Sequence, residues 1–188
     1  MRIRYKKWAR PELEASKFYI DEPEKMKGKW KTFFKNPNNP LHLELGCGKG
    51  QFISNLASEN LDKNYIAIDL VDAMLGLAKR NVEQVYTEKN MEPENIVLTR
   101  YDIERILQIL DKEDKIERIY TCGPKPMMKI VAETAVSNGI DCQVSMEERM
   151  GCGVGACVTC TCTLKDGSRK RVCKDGPIFN ASEVDFDG

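Results

Sequence analysis

The run Glu44-Leu45-Gly46-Cys47-Gly48-Lys49-Gly50 sets the architecture of this 188-residue chain. It follows the apolar segment Leu41-His42-Leu43 and leads into residues 50–61, whose spacing predicts a helix. Glycines at alternate positions let the chain bend sharply between strand and helix and let a ligand approach without a Cβ in the way. A dinucleotide fingerprint would need its third glycine at position 51, where Gln51 stands. Glu44 beside the loop disfavours a pyrophosphate and favours a cation. S-adenosylmethionine, with a sulfonium, an amino group and no phosphate, meets that demand. Asp69 ends the next apolar run, Tyr65-Ile66-Ala67-Ile68, where a carboxylate can hold ribose hydroxyls. Asp102 ends a third, Ile96 to Tyr101, within reach of an adenine edge. Glu44, Gly46, Gly48, Gly50, Asp69 and Asp102 are thus the candidate cofactor residues, at carboxyl ends of strands, where open parallel sheets bind ligands. The competing reading is a set of structural turn glycines.

Further strands are expected at 118–121 and 142–146, and helices at about 72–86, 103–110 and 125–137. Asp72 is expected to cap its helix, with Ala73, Leu77 and Ala78 facing inward. Strands separated by helices predict an α/β fold, a Rossmann-like parallel sheet of about five strands. Residues 1–40 carry eleven Lys/Arg against five Asp/Glu, with Trp8, Trp30, Phe33 and Phe34 among them, and end at Asn36-Pro37-Asn38-Asn39-Pro40. They read as a basic extension, either a solvated surface arm or a polyanion contact. The whole chain is neutral, with 29 Lys+Arg and 29 Asp+Glu, which excludes a uniformly basic coat or an acidic tail. No apolar run reaches a membrane span and no apolar signal segment follows the basic start, so a cytoplasmic protein without a membrane partner is expected.

Beyond Glu148 the periodicity stops. Five of the eight cysteines fall within residues 152–173. Cys152-x4-Cys157-x2-Cys160-x12-Cys173 has the spacing of a plant-type [2Fe–2S] site, which predicts a small C-terminal cysteine-loop domain over 147–188. Gly151, Gly153, Gly155 and Ala156 are small enough to let one loop wrap several thiolates. Cys162 reads as a spare. The rival is a structural zinc on four cysteines, which usually pairs two Cys-x2-Cys units where this chain has one.

Residues 1–118 resemble the bacterial tRNA (guanine-N7)-methyltransferases, from the Met-Arg-x-Arg start and Trp8-Ala9 through Glu44 to Phe52 and Asn64 to Asp69. The resemblance implies that Glu44, Asp69 and Asp102 bind the methyl donor, and that tRNA is a partner reached through the basic extension. After Arg118-Ile119-Tyr120 that family continues with Asn/Asp-Pro-Trp-Pro-Lys, whereas this chain has Thr121-Cys122-Gly123-Pro124-Lys125-Pro126. Residues from about 116 resemble the C-terminus of the electron transfer subunit of dihydroorotate dehydrogenase B, on Tyr120 to Met127, Glu147 to Cys157 and Val172 to Pro177. This second resemblance implies Cys152, Cys157, Cys160 and Cys173 as cluster ligands, electron transfer in pyrimidine biosynthesis, and the dehydrogenase catalytic subunit as a partner. It also implies that the family's FAD-binding part has no counterpart here. The chain thus reads as a chimera of an extension (1–40), a core (41–146) joined near 115–121, and a cluster domain (147–188), whether natural, engineered or a gene-model artefact. Three functions follow from it. They are iron–sulfur electron transfer, S-adenosylmethionine-dependent tRNA guanine-N7 methylation, and a composite that performs neither.

Overall fold

The computed structural model describes residues 5–187; the Met-Arg-x-Arg start lies outside them. The chain divides into two compact units, Met1–Glu117 and Arg118–Gly188.

The first unit is a parallel α/β layer. In chain order it comprises α1 (Ala9–Glu14), β1 (Tyr19–Ile20), β2 (Leu41–Leu45), α2 (Gln51–Glu59), β3 (Asn64–Asp69), α3 (Asp72–Glu88) and β4 (Ile96–Arg100). Its strand order is β1-β4-β3-β2. Leu43 stands opposite Ile66 and Ala67 opposite Leu98, so the register aligns three apolar rows. All of β2 is buried. β3 is buried from Asn64 to Ile68, and such two-sided burial produces its continuous apolar run Tyr65-Ile66-Ala67-Ile68 in place of alternation. The turns at 103–108 and 112–114 are 3-10 helices.

Residues 5–40 are not a solvated arm. Ala9, Leu13, Trp30 and Phe34 are buried, and Phe18 and Tyr19 nearly so. The backbone N–H of Leu98 donates to Phe18 O at 2.8 Å, which adds β1 to the edge of the sheet. The Trp30 indole N–H donates to Ile109 O at 2.7 Å. Buried Asp114 accepts the backbone N–H groups of Gly28, Trp30 and Asp111. Three N–H donors satisfy a carboxylate that would be costly to bury alone. Phe18, Tyr19, Trp30 and Phe34 of the extension are therefore core, with most of its lysines left on the surface. Trp8 stays half-exposed under the Arg80 guanidinium, 3.6 Å from the ring centroid.

Helix α3 departs from expectation at two points. Its N-cap is Val71, with no side-chain cap, and Asp72 pairs with Arg100 at 3.3 Å instead. Its inward face carries Leu75, Gly76, Val82 and Tyr86 beside Ala73 and Ala78, while Leu77 is only half-buried. Tyr86 donates its hydroxyl to Asn95 at 2.6 Å, which draws that face round.

The second unit contains β5 (Ile116–Cys122) from Arg118 on, α4 (Lys125–Ser137), β6 (Asp141–Ser145), β7 (Thr161–Thr163), β8 (Arg169–Arg171), α5 (Val172–Asp175) and β9 (Ile178–Asn180). β5 and β6 pair in parallel, with an Arg118–Asp141 ion pair of 2.6 Å across them. β9 returns antiparallel on β6, placing Phe179 opposite Val144. β7 and β8 form a small hairpin of their own. All five expected strands form, as β2 to β6. No described helix is long and apolar enough to cross a membrane.

Candidate functional site

The glycine loop begins where β2 ends. Gly46 and Cys47 both donate backbone N–H groups to Ile68 O, at 2.9 and 3.0 Å, which fastens the loop to β3. Gly50 adopts φ +69° at the start of α2, and a Cβ there would stand 2.7 Å from the Ala78 Cβ. The residue is glycine because α2 and α3 approach closely at that point and because the backbone is left-handed. Gly48 is also left-handed, but nothing lies within 4 Å of the position of its missing Cβ, so the loop is open there. Asn81, on α3, donates its side-chain amide to Lys49 O at 2.8 Å. No motif in the loop announces Asn81; its role follows from the packing of α3.

Two carboxyl groups face this loop. Asp69 accepts Gly48 N–H and Val71 N–H, each at 2.9 Å, so both of its oxygens are aimed by backbone. Burial raises its pKa, against these hydrogen bonds. Glu44 is 7% exposed, and its Oε2 has no hydrogen-bond partner among the described residues. Burial, and then the negative charge of Asp69, push its carboxyl up to about 8. Burial also holds the Cys47 thiol well above its ordinary range. A buried acidic pair with an orphaned carboxyl oxygen is suited to a cation, and S-adenosylmethionine fits the donor set. Asp102 lies two residues beyond β4, and its side chain accepts Glu104 N–H at 3.0 Å, capping the 3-10 turn. The structure thus brings Glu44, Asp69 and the glycines together, while Asp102 caps the 3-10 turn after β4.

The cysteine loop occupies the second unit. Cys152 Sγ accepts the backbone N–H groups of Val154 (3.4 Å), Ala156 (3.2 Å) and Cys157 (3.4 Å). These donors, that of Cys157 first, bring its thiol down to about 6. The Thr159 hydroxyl donates to Cys157 Sγ at 3.2 Å and lowers that thiol too. Cys173 donates its N–H to Cys160 Sγ at 3.4 Å, and the adjacent Cys160 side chain raises the Cys173 thiol. Backbone N–H···S bonds therefore join the cysteines two by two, Cys152 with Cys157 and Cys160 with Cys173. No group of three or more His, Cys, Asp or Glu among the described residues is set to hold one metal ion. Cys162 is buried within β7, and burial raises its thiol. Gly155, at φ +80°, lies beneath the Lys174 stem, whose Cδ would be 2.8 Å from a Cβ at that position. Three sulfurs on a loop with left-handed Gly153 and Gly155, a fourth on α5, and backbone N–H groups turned towards Cys152 and Cys160 fit an iron–sulfur cluster.

The family described as "Putative methyltransferase" matches residues 38–131, half of the chain. The iron–sulfur cluster binding domain of dihydroorotate dehydrogenase B matches residues 147–185. The tRNA (guanine-N(7)-)-methyltransferase of Clostridium beijerinckii is 53% identical over 131 residues, covering 69% of this chain and 59% of that protein. The enzyme of the same name from Acetivibrio thermocellus is 48% identical over 128 residues, 67% of this chain and 58% of its own length. The chain thus spans under two thirds of the length of these relatives. A solved structure described under flavin-based electron bifurcation by the NADH-dependent reduced ferredoxin-NADP oxidoreductase has a TM-score of 0.55 at 23% identity, over 79% of this chain and 54% of that one, which is a likeness of fold. With the glycine loop and its acids inside the first match and the four spaced cysteines inside the second, the chain belongs to the methyltransferase family over residues 38–131, and its residues 147–185 match the iron–sulfur cluster binding domain of dihydroorotate dehydrogenase B.

Proposed function

We propose that the second unit binds a [2Fe–2S] cluster and works as a one-electron module, with Cys152 and Cys157 on one iron and Cys160 and Cys173 on the other. The observation that carries this reading is that backbone N–H···S bonds join the cysteines two by two, Cys157 to Cys152 and Cys173 to Cys160, each at 3.4 Å. Two irons bridged by sulfide take two thiolates each, whereas zinc draws four round one centre. When bound, the cluster supplies one-electron redox chemistry. The chain supplies the thiolates: N–H groups of Val154, Ala156 and Cys157 stabilise Cys152 in its anionic form, and the Thr159 hydroxyl does so for Cys157. Its proposed electron partner, from the family matched, is the dihydroorotate dehydrogenase catalytic subunit. Anaerobic reconstitution with iron and sulfide should load about two of each per chain and give a visible absorption band. Loading of zinc alone, or of four irons, would replace this reading.

A second reading has its own support in the orphaned Oε2 of Glu44. The first unit is proposed to bind S-adenosylmethionine in the loop Gly46–Gly50, with Glu44 facing the cationic end and Asp69 the ribose. Methyl transfer to guanine N7 of tRNA is the activity proposed from the relatives, with the surface lysines of residues 5–40 attracting the phosphate backbone. Charge attraction brings RNA near without aligning its base. Alignment is the heavier demand, since an error of about 1 Å can cost roughly 100-fold in rate. Calorimetry with S-adenosylmethionine tests the site, and labelled methyl transfer to unmodified tRNA tests the activity. Heat without transfer would leave a donor site that does not methylate; no heat, with Asp69→Ala unchanged, would remove the site.

A further inference from the structure

Arg171 is held in place more tightly than a surface arginine needs to be. Its Nη1 donates to Gly155 O at 3.2 Å, in the loop that carries Cys152 and Cys157. Asp175 aims it, accepting the Arg171 backbone N–H at 2.8 Å and Nε at 3.2 Å on one oxygen. Next to Arg171 in the chain, Val172 N–H donates to Cys160 O at 2.9 Å and Cys173 N–H to Cys160 Sγ at 3.4 Å. The guanidinium also interacts electrostatically with Cys173 and Cys160. One side chain therefore bridges the segments that carry the two cysteine pairs. Lys174 packs its stem on the same Gly155.

We propose that Arg171 is a positioning residue for the cluster, tying Gly155 to the Cys160–Cys173 segment and standing as a fixed cation that favours the reduced state. This rests on the two-iron reading above. A two-iron cluster on four thiolates carries two net negative charges when oxidised and three when one electron has been added. The added charge is stabilised by a cation already in place, because the guanidinium needs no reorientation at the moment of reduction. Asp175 offsets part of that charge but keeps the guanidinium aimed.

The experiment is a redox titration of the reconstituted full chain with dithionite as electron donor, read by electron paramagnetic resonance of the reduced cluster. Arg171→Gln should lower the ratio of reduced to oxidised cluster at fixed potential about tenfold, a 59 mV shift for a one-electron couple. Arg171→Lys should recover part of it. If Arg171→Gln cannot hold the cluster, retention in Arg171→Lys supports the proposal. An unchanged ratio in Arg171→Gln, or loss of the cluster from both variants, overturns it. A parent protein that binds no cluster would remove the two-iron reading itself, before any variant is compared.

Discussion

Glu44 and Cys152 both stand at glycine-rich loops, yet burial pushes the carboxyl up to about 8 while backbone N–H groups bring the thiol down to about 6. The first loop withholds its charge until a cation arrives. The second, which is solvent-exposed, presents its charge ready for metal. The difference lies in where the N–H groups point. In the first loop they serve Ile68 O, Cys47 O and Asp69 and leave Glu44 Oε2 unserved. In the second, three of them converge on one sulfur. Glycine thus solves the same steric problem twice, and the electrostatics are set by the acceptors nearby.

The sharpest break of this comparison is Cys160→Ser, which should abolish iron binding, while Cys162→Ser should leave iron content and visible absorption unchanged. Equal loss would mean that β7 supplies a ligand. Next in size is Trp30→Ala, expected to destabilise the first unit by about 3–5 kcal/mol in urea denaturation and to leave the iron content of the second unchanged. Gly50→Ala should follow, at roughly 1–3 kcal/mol, because the new methyl meets Ala78 on a left-handed backbone.

The pH dependence is smaller and more specific. The folded-state pKa of Glu44 is raised, so its contribution to stability is present below the ordinary carboxylate range and is lost as pH rises towards about 8. The empty protein should therefore lose stability from this group over that window, and Glu44→Gln should remove the dependence. S-adenosylmethionine binding should show the reverse trend, tightening by at most about tenfold per pH unit up to the same point as Glu44 gives up its proton. Calorimetry in buffers of different ionisation heat reads that proton directly; a parent slope equal to that of Glu44→Gln would show that Glu44 does not face the ligand.

Much of this was legible in the sequence where chemistry and spacing coincide locally. Leu41 to Gly50 declares a strand, a turn and a helix within ten residues, and the four cysteines declare their loop by spacing alone. What escaped depends on partners distant in the chain. Trp30 reads as a surface aromatic until Asp114 and Ile109, some eighty residues on, accept its two N–H groups. β1 has two residues and exists because β4 has an open edge. Asp102 follows a strand in the sequence, but that the strand stops at Arg100 and the carboxylate caps the next turn is visible only in the fold. Arg171 lies among basic residues and carries no motif; its bonds to Gly155 and Asp175 distinguish it from Arg169.

The burial of Trp30 has a practical consequence. The chain has two tryptophans, Trp8 and Trp30, and both lie in the first unit. Indole emission therefore reports on the methyltransferase-like half alone, with Trp30 shifting to the red when its apolar surroundings are lost. Sulfur-to-iron absorption, once a cluster is loaded, would report on the other half. Each half carries its own optical label without any added dye, so one cuvette can follow the melting of both and reveal whether they unfold together or in turn.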